Sequence, residues 1–242
     1  MAPAPDGGKR LEGRIALVTG ASRGIGAAVA KRFAQEGAHL VLTARTTGAL
    51  EELDDEIQKI TGEAATLVPL DLTEFDAIDR LGAAIYERFG KLDILIGNAG
   101  QLGTLSPLPH TDPKVWDQVM AVNATANFRL IRSMDPLLRT SDAGRCVFVT
   151  SAVGREARAY WSIYAVSKAA MEMTALIYAA EVETTNVRVN LLNPGGTRTA
   201  MRAQAFPGED PQTLKTPDSI TELFVELSEP SCTRNGELLT AS

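Results

Sequence analysis

Short apolar runs recur along the chain, and stretches with a 3.6-residue apolar period lie between them. The runs Ile15–Thr19, Leu40–Ala44, Ala65–Leu70, Leu92–Ile96, Arg145–Thr150 and Val187–Leu192 lack the alternation of a half-exposed strand. They predict strands buried on both faces of a parallel sheet, with Gly236–Leu239 a candidate seventh. Helical patterns fill Ala27–Glu36, Thr47–Thr61, Thr73–Phe89, Pro113–Arg139, Ser162–Thr184 and Thr216–Ser228. Alternating strands and helices over 242 residues predict a single large α/β domain. Thr47–Thr61 is rich in Glu and Asp and reads as a solvated outer face, whereas Pro113–Arg139 carries Val115, Trp116, Val119, Met120, Leu130 and Ile131 and reads as a long core helix. The Ser162–Thr184 helix is apolar nearly all round, including Val166, Met173 and Ile177, which predicts burial against a second copy of the chain.

Composition adds limits. Hydrophobic residues make up 45% and charged residues 22%, the balance of an ordinary globular protein. A net charge of −6 offers no basic footprint for nucleic acid. No apolar run approaches the roughly 20 residues that cross a bilayer. Met1–Arg10 reads as a flexible tail and not as a secretory signal. The two cysteines make no disulfide framework, and Cys146 reads as a small buried hydrophobe. A cytoplasmic location is expected. His39 and His110 have no metal-ligating partners, so no metal site is assigned.

The chemistry gathers where the predicted strands end. Ile15–Thr19 runs into Gly20-Ala-Ser-Arg-Gly-Ile-Gly26 and then a helix. Such a turn leaves free N–H groups at a helix N-terminus, where Gly20, Ser22, Arg23, Gly24, Ile25 and Gly26 can meet a phosphate. About 20 residues on, a dinucleotide site expects an acid for a ribose hydroxyl or an Arg for a 2′-phosphate. Ala44-Arg45 stands there, with Arg23 as a second cation, so NADP(H) is expected and NAD(H) is possible. Asp71 and Leu72 close the third strand, with Asp71 either an adenine contact or the cap of the next helix. Asn98-Ala99-Gly100 follows the fourth strand and permits close approach to a ribose or a nicotinamide. Pro194 and Gly195 follow the sixth, and Thr197 or Thr199 is placed to reach a carboxamide. Residues 197–216 read as a mobile substrate loop.

Tyr164 and Lys168 stand one helical turn apart on one face of their helix. A phenol with an unperturbed pKa of about 10 is a poor acid or base at neutral pH. A fixed ammonium nearby favours the phenolate; reaching about 7 takes roughly 4 kcal/mol, which one Lys helped by a nearby positive cofactor ring is expected to supply. Ser151 opens the loop after the fifth strand, and Asn123 is a polar amide on an apolar helix that needs partners.

These pieces resemble the short-chain dehydrogenase/reductase family. The resemblance is carried by Thr19-Gly-Ala-Ser-Arg-Gly-Ile-Gly26, Asn98-Ala-Gly100, Asn123, Ser151, Tyr164-Ala-Val-Ser-Lys168 and Pro194-Gly195, in the family's order and spacing. It implies a Rossmann-like, doubly wound, seven-stranded parallel sheet flanked by helices on both faces. Residues 11–242 would then form one dinucleotide-binding and catalytic domain, assembled as a homodimer or homotetramer through the helices around Asn123 and Tyr164. It further implies that Tyr164 protonates a carbonyl oxygen during hydride transfer and that Ser151 hydrogen-bonds that oxygen. Lys168 would lower the Tyr164 pKa and hold the nicotinamide ribose, and Asn123 would anchor a water leading to Lys168. Gly97, where the family commonly has Asn, and the Gly196-Thr-Arg-Thr199 continuation depart from the pattern, as does the missing Asp-Gly-Gly after Leu239. The expectation is an NADP(H)-dependent oxidoreductase acting on a small to medium carbonyl or alcohol. Its rivals are a nucleotide-binding regulator without turnover and a cofactor-retaining epimerase or lyase. Gln101, Leu102 and the loop Arg155–Trp161 flank the site, and Arg155 or Arg158 is a candidate partner for an anionic substrate.

Overall fold

The computed structural model describes residues 8–241. Its strands are β1 (Ile15–Thr19), β2 (His39–Ala44), β3 (Thr66–Pro69), β4 (Ile94–Gly97), β5 (Arg145–Val149), β6 (Arg188–Asn193) and β7 (Leu238–Thr240). They form one sheet in the order β3-β2-β1-β4-β5-β6-β7, parallel throughout. This is the doubly wound, Rossmann-like sheet that the apolar runs and the family resemblance predicted, with strand ends shifted by a residue or two.

Successive residues of a strand face opposite sides, and each side carries its own core. On one side Leu17, Leu95, Cys146, Phe148 and Leu191 pack against α3 (Phe75–Phe89), α5 (Ala126–Thr140) and α6 (Ser162–Glu181). On the other, Ala16, Val18, Leu42, Ile96 and Val147 pack against α1 (Gly24–Gln35), α2 (Thr47–Thr61) and α8 (Thr221–Ser228). Phe33, Phe148 and Phe224 are fully buried. Removing such side chains from water contributes about 1.5–3 kcal/mol each. The chain leaves β1 for β2 on one flank and reaches β4 on the other, so a crevice opens at the carboxyl ends of β1 and β4.

Several predicted elements differ in detail. Pro113–Arg139 is not one regular helix. It runs as α4 (Pro113–Met120), one π-helical turn at Ala121–Thr125, and α5. The turn accommodates Asn123, whose carbonyl accepts the Asn127 side-chain amide at 2.8 Å. α6 ends at Glu181, where the Val182 N–H closes on the Tyr178 carbonyl. The substrate-loop segment holds α7 (Ala200–Ala205) and a short 3-10 turn at Pro211–Thr213. Its two ends are tied together, with the Arg198 N–H donating to the Lys215 carbonyl at 2.8 Å. Most of the predicted N-terminal tail lies outside the described residues. Arg10, placed with that tail, instead pairs with Glu222 at 2.5 Å and with Glu229. Among the described residues no helix is long and apolar enough to cross a membrane.

Candidate active site

A cleft of about 980 Å³ lies at the carboxyl ends of the strands. All the residues expected to bind cofactor, or to supply Ser151, Tyr164 and Lys168, line it apart from Gly26, which is buried beneath the glycine turn. Gly20 holds a left-handed φ of +63°, and a Cβ there would come within 2.9 Å of the Ala99 Cα. A Cβ on Gly26 would stand 2.3 Å from the Gly20 carbonyl oxygen. Thr19 ties the turn to the end of β4: its hydroxyl accepts the Asn98 and Ala99 N–H groups at 3.0 and 3.1 Å and donates to the Ile96 carbonyl. Asn98, expected at a ribose, donates its side-chain amide to the Thr19 carbonyl at 2.8 Å, so it also braces the turn from below. Arg23 at the start of α1 supplies no side-chain cap. The first-turn N–H groups of α1 therefore face the cleft without a side-chain acceptor, which suits a phosphate.

Arg23 and Arg45 are exposed at one end of the cleft, and neither forms an ion pair among the described residues. Lys31, which sequence reasoning missed, joins them one helical face away and pairs with Glu56 at 3.1 Å. Asp71 accepts the Thr73 N–H and hydroxyl at 2.9 and 2.8 Å in a turn ahead of α3, and also borders the cleft. The helix begins only at Phe75, so Asp71 is not its cap. Thr197 and Thr199 are both committed locally. Thr197 donates to the Pro194 carbonyl at 3.0 Å, and Thr199 caps α7 by accepting the Arg202 N–H at 3.1 Å.

Toward the centre the four expected catalytic residues converge. Asn123 is fully buried: its Oδ1 accepts the Gln101 N–H at 2.8 Å, and its Nδ2 donates to the Gln101 carbonyl at 2.8 Å and to Ser167 Oγ at 2.9 Å. Ser167 in turn donates to the Tyr164 carbonyl, which links the π turn to the helix that carries Tyr164. Lys168 Nζ donates to the Val149 carbonyl at 2.8 Å and lies 5.8 Å from the centre of the Tyr164 ring. The space beside Gly97 explains one departure from the family pattern. A Cβ there would come within 2.3 Å of Phe148 and 2.6 Å of Asn127 Oδ1, so no side chain fits.

Burial dominates the electrostatics of the pair. The Tyr164 phenol is pushed up to about 12, mainly by burial, with contact from the Ser151 hydroxyl working the other way. Lys168 is pushed down to about 8, again by burial, with Glu172 opposing the shift. Both groups sit out of water, at 8% and 4% exposure, where each loses hydration before it helps the other. The expected lowering of the phenol pKa relies on Lys168 together with a positive cofactor ring. A cationic ring beside the phenol is then needed to stabilise a phenolate.

Beyond Tyr164 the cleft is walled by Leu102, Trp161, Met201, Ala205 and Phe206. Trp161 meets Tyr164 edge-on at 5.9 Å and Phe206 at 5.6 Å. Phe206, contributed by the segment after α7, lies in the segment read as a substrate loop but was not itself singled out. Arg158 stacks over both Trp161 and Phe206, and Arg202 over Phe206 at 3.8 Å while paired with Glu209. Arg155 does not line the cleft, and its Nε pairs with buried Glu172 at 2.7 Å.

Residues 14–210 match the family model described as short chain dehydrogenase. The uncharacterized oxidoreductase YciK of Escherichia coli (strain K12) is 44% identical over 219 residues, covering 90% of this chain and 86% of its own. The 2,3-dihydro-2,3-dihydroxybenzoate dehydrogenase of Bacillus subtilis (strain 168) is 33% identical, covering 84% of this chain and 77% of its own. Among solved structures, a protein of Escherichia coli CFT073 in complex with NADPH superposes with a TM-score of 0.94 at 43% identity, covering 97% of this chain and 98% of its own. The chain belongs to the short-chain dehydrogenase family of oxidoreductases.

Proposed function

We propose that the protein is an NADP(H)-dependent carbonyl reductase, working in reverse as an alcohol dehydrogenase. The observation that carries this reading is the convergence of Ser151, Tyr164 and Lys168 on the same cleft as an uncapped glycine turn and two exposed arginines, Arg23 and Arg45. The relative solved with NADPH supports the cofactor assignment. The residues present fit a dinucleotide phosphate: Gly20 and Gly24 hold positive φ, and a Cβ on Gly24 would meet only the Thr199 side chain, at 3.5 Å. The first-turn N–H groups of α1 would take the pyrophosphate, and Arg45 with Arg23 the 2′-phosphate. Pro194, Gly195 and the Asn98–Gly100 segment would flank the nicotinamide half.

Bound NADPH would supply the hydride. Tyr164 hands its phenolic proton to the carbonyl oxygen, and Ser151 donates a hydrogen bond to the same oxygen. A phenol held at about 12 stays protonated at neutral pH and is ready as an acid. Lys168, charged below about 8, fixes the ribose and steadies the phenolate left behind. Asn123 fastens the Gln101 backbone to α6 and so keeps one wall of the cleft in register with Tyr164.

The apolar wall of Leu102, Trp161, Met201 and Phe206 suits a flat or cyclic carbonyl compound of small to medium size. That a relative is a dehydrogenase of a ring diol agrees with it. Segment 197–216, clipped at its base, is the loop that covers the substrate. Val166, Met173 and Ile177 on α6 and Phe128 on α5 are exposed and form the face through which two or four copies associate. The test is NADPH and NADH oxidation in parallel against cyclic and aryl ketones, aldehydes and diketones. Turnover with NADPH favoured supports the assignment. Tight NADPH binding with no consumption on any of them opposes it.

A further inference from the structure

One buried acid on the catalytic helix has no part in the chemistry above. Glu172 lies on α6 one turn beyond Lys168 and is only 4% exposed. Its Oε1 accepts the Thr150 hydroxyl, and its Oε2 accepts Arg155 Nε at 2.7 Å. Thr150 and Arg155 bracket the Ser151 turn. Inside it the Gly154 N–H closes on the Ser151 carbonyl at 3.0 Å, and the Arg155 N–H on the Ala152 carbonyl at 3.0 Å. Gly154 leaves room for the acid: a Cβ there would stand 2.9 Å from Glu172 Oε1.

We propose that Glu172 is a positioning residue: its carboxylate clamps the Ser151 turn at both ends against the helix bearing Tyr164 and Lys168, and holds a negative charge behind the Lys168 ammonium. The proposal rests on the reductase reading for its consequence and on this geometry for its existence. The Thr150 backbone is already held by the Leu192 carbonyl at 2.8 Å, and the Val149 carbonyl by Lys168. The clamp adds the side-chain tie that sets Ser151 against Tyr164 across the two elements. A buried carboxylate persists only when its oxygens are paired, and here a hydroxyl and a guanidinium pair them. The charged groups set against it are Arg155 from the turn and Lys168 from its own helix. Its field opposes the loss of charge that burial imposes on Lys168.

The two neighbours make opposite predictions. Glu172→Gln keeps an acceptor for Thr150 but removes the charge, so the Lys168 titration moves to lower pH. Arg155→Ala keeps the carboxylate and removes the cation that offsets it, so that titration moves to higher pH. Both are read by ¹³Cε NMR of lysine-labelled protein, which needs no substrate. In NADPH-dependent reduction, loss of register lowers kcat about tenfold in Glu172→Gln with KM for NADPH within about twofold of wild type. If Glu172→Gln does not fold, Arg155→Ala and Thr150→Val carry the same readouts. A folded Glu172→Gln, or in its place a folded Arg155→Ala, with wild-type kcat and an unmoved Lys168 midpoint overturns the proposal. A wild type that reduces nothing counts against the reductase reading, while the NMR titration still decides the clamp.

Discussion

Replacing Asn123 with Ala isolates what a buried amide contributes to the catalytic wall. The substitution deletes three hydrogen bonds of 2.8, 2.8 and 2.9 Å. Ser167 keeps its bond to the Tyr164 carbonyl, so the loss there is small. The Gln101 N–H and carbonyl are left without their partner at the base of the cleft. An orphaned buried donor or acceptor costs about 1–3 kcal/mol. Gln101 is only half-buried, and water from the cleft recovers part of that, giving about 3 kcal/mol for the pair. In a chain of this size 1 kcal/mol corresponds to roughly 2–4 °C, so Tm should fall by about 6–12 °C. Differential scanning calorimetry measures the fall, and hydrogen exchange at the Gln101 amide should rise with it. A Tm within about 2 °C of wild type, with Gln101 still protected, would refute the claim that Asn123 holds this wall.

Other consequences are as direct. Arg45→Ala should weaken NADPH binding by roughly tenfold or more and leave NADH nearly unchanged, since one charge-assisted phosphate contact contributes about 1.5–3 kcal/mol. Fluorescence titration with both cofactors checks it, and equal loss for both would sink the 2′-phosphate assignment. Reductive kcat/KM should hold at neutral pH and decline as pH rises through about 8, where free-enzyme Lys168 loses its proton while Tyr164, near 12, keeps its own. A flat profile to pH 10 would contradict that, with pH 10 taken as about the pKa of an unperturbed phenol or lysine. Phe206→Ala should raise KM for a cyclic ketone several-fold with little change for a short aldehyde. A uniform effect on both would show that Phe206 does not line the substrate.

The elements that depend on local signals were readable in the chain. Consecutive apolar residues marked the buried strands, and the glycines marked the turn because side chains do not fit at Gly20 and Gly26 and Gly24 holds a left-handed φ of +58°. Features that depend on distant partners were not. The π turn at Ala121–Thr125 follows an ordinary helical pattern and exists to seat Asn123 against Gln101 and Ser167. Phe206 reaches the cleft only because α7 folds over Trp161. Glu172 meets residues 22 and 17 positions away, so nothing in α6 alone announces its contacts with Thr150 and Arg155. The burial that raises the Tyr164 phenol belongs to the packed structure and has no local signal either.

The central claim is that Tyr164 delivers the proton in carbonyl reduction. The most direct measurement is single-turnover oxidation of pre-bound NADPH by wild type and Tyr164→Phe, with cofactor affinity measured on both. The account predicts that Tyr164→Phe binds NADPH as wild type does and oxidises it at least about a hundredfold more slowly. Equal single-turnover rates would contradict it.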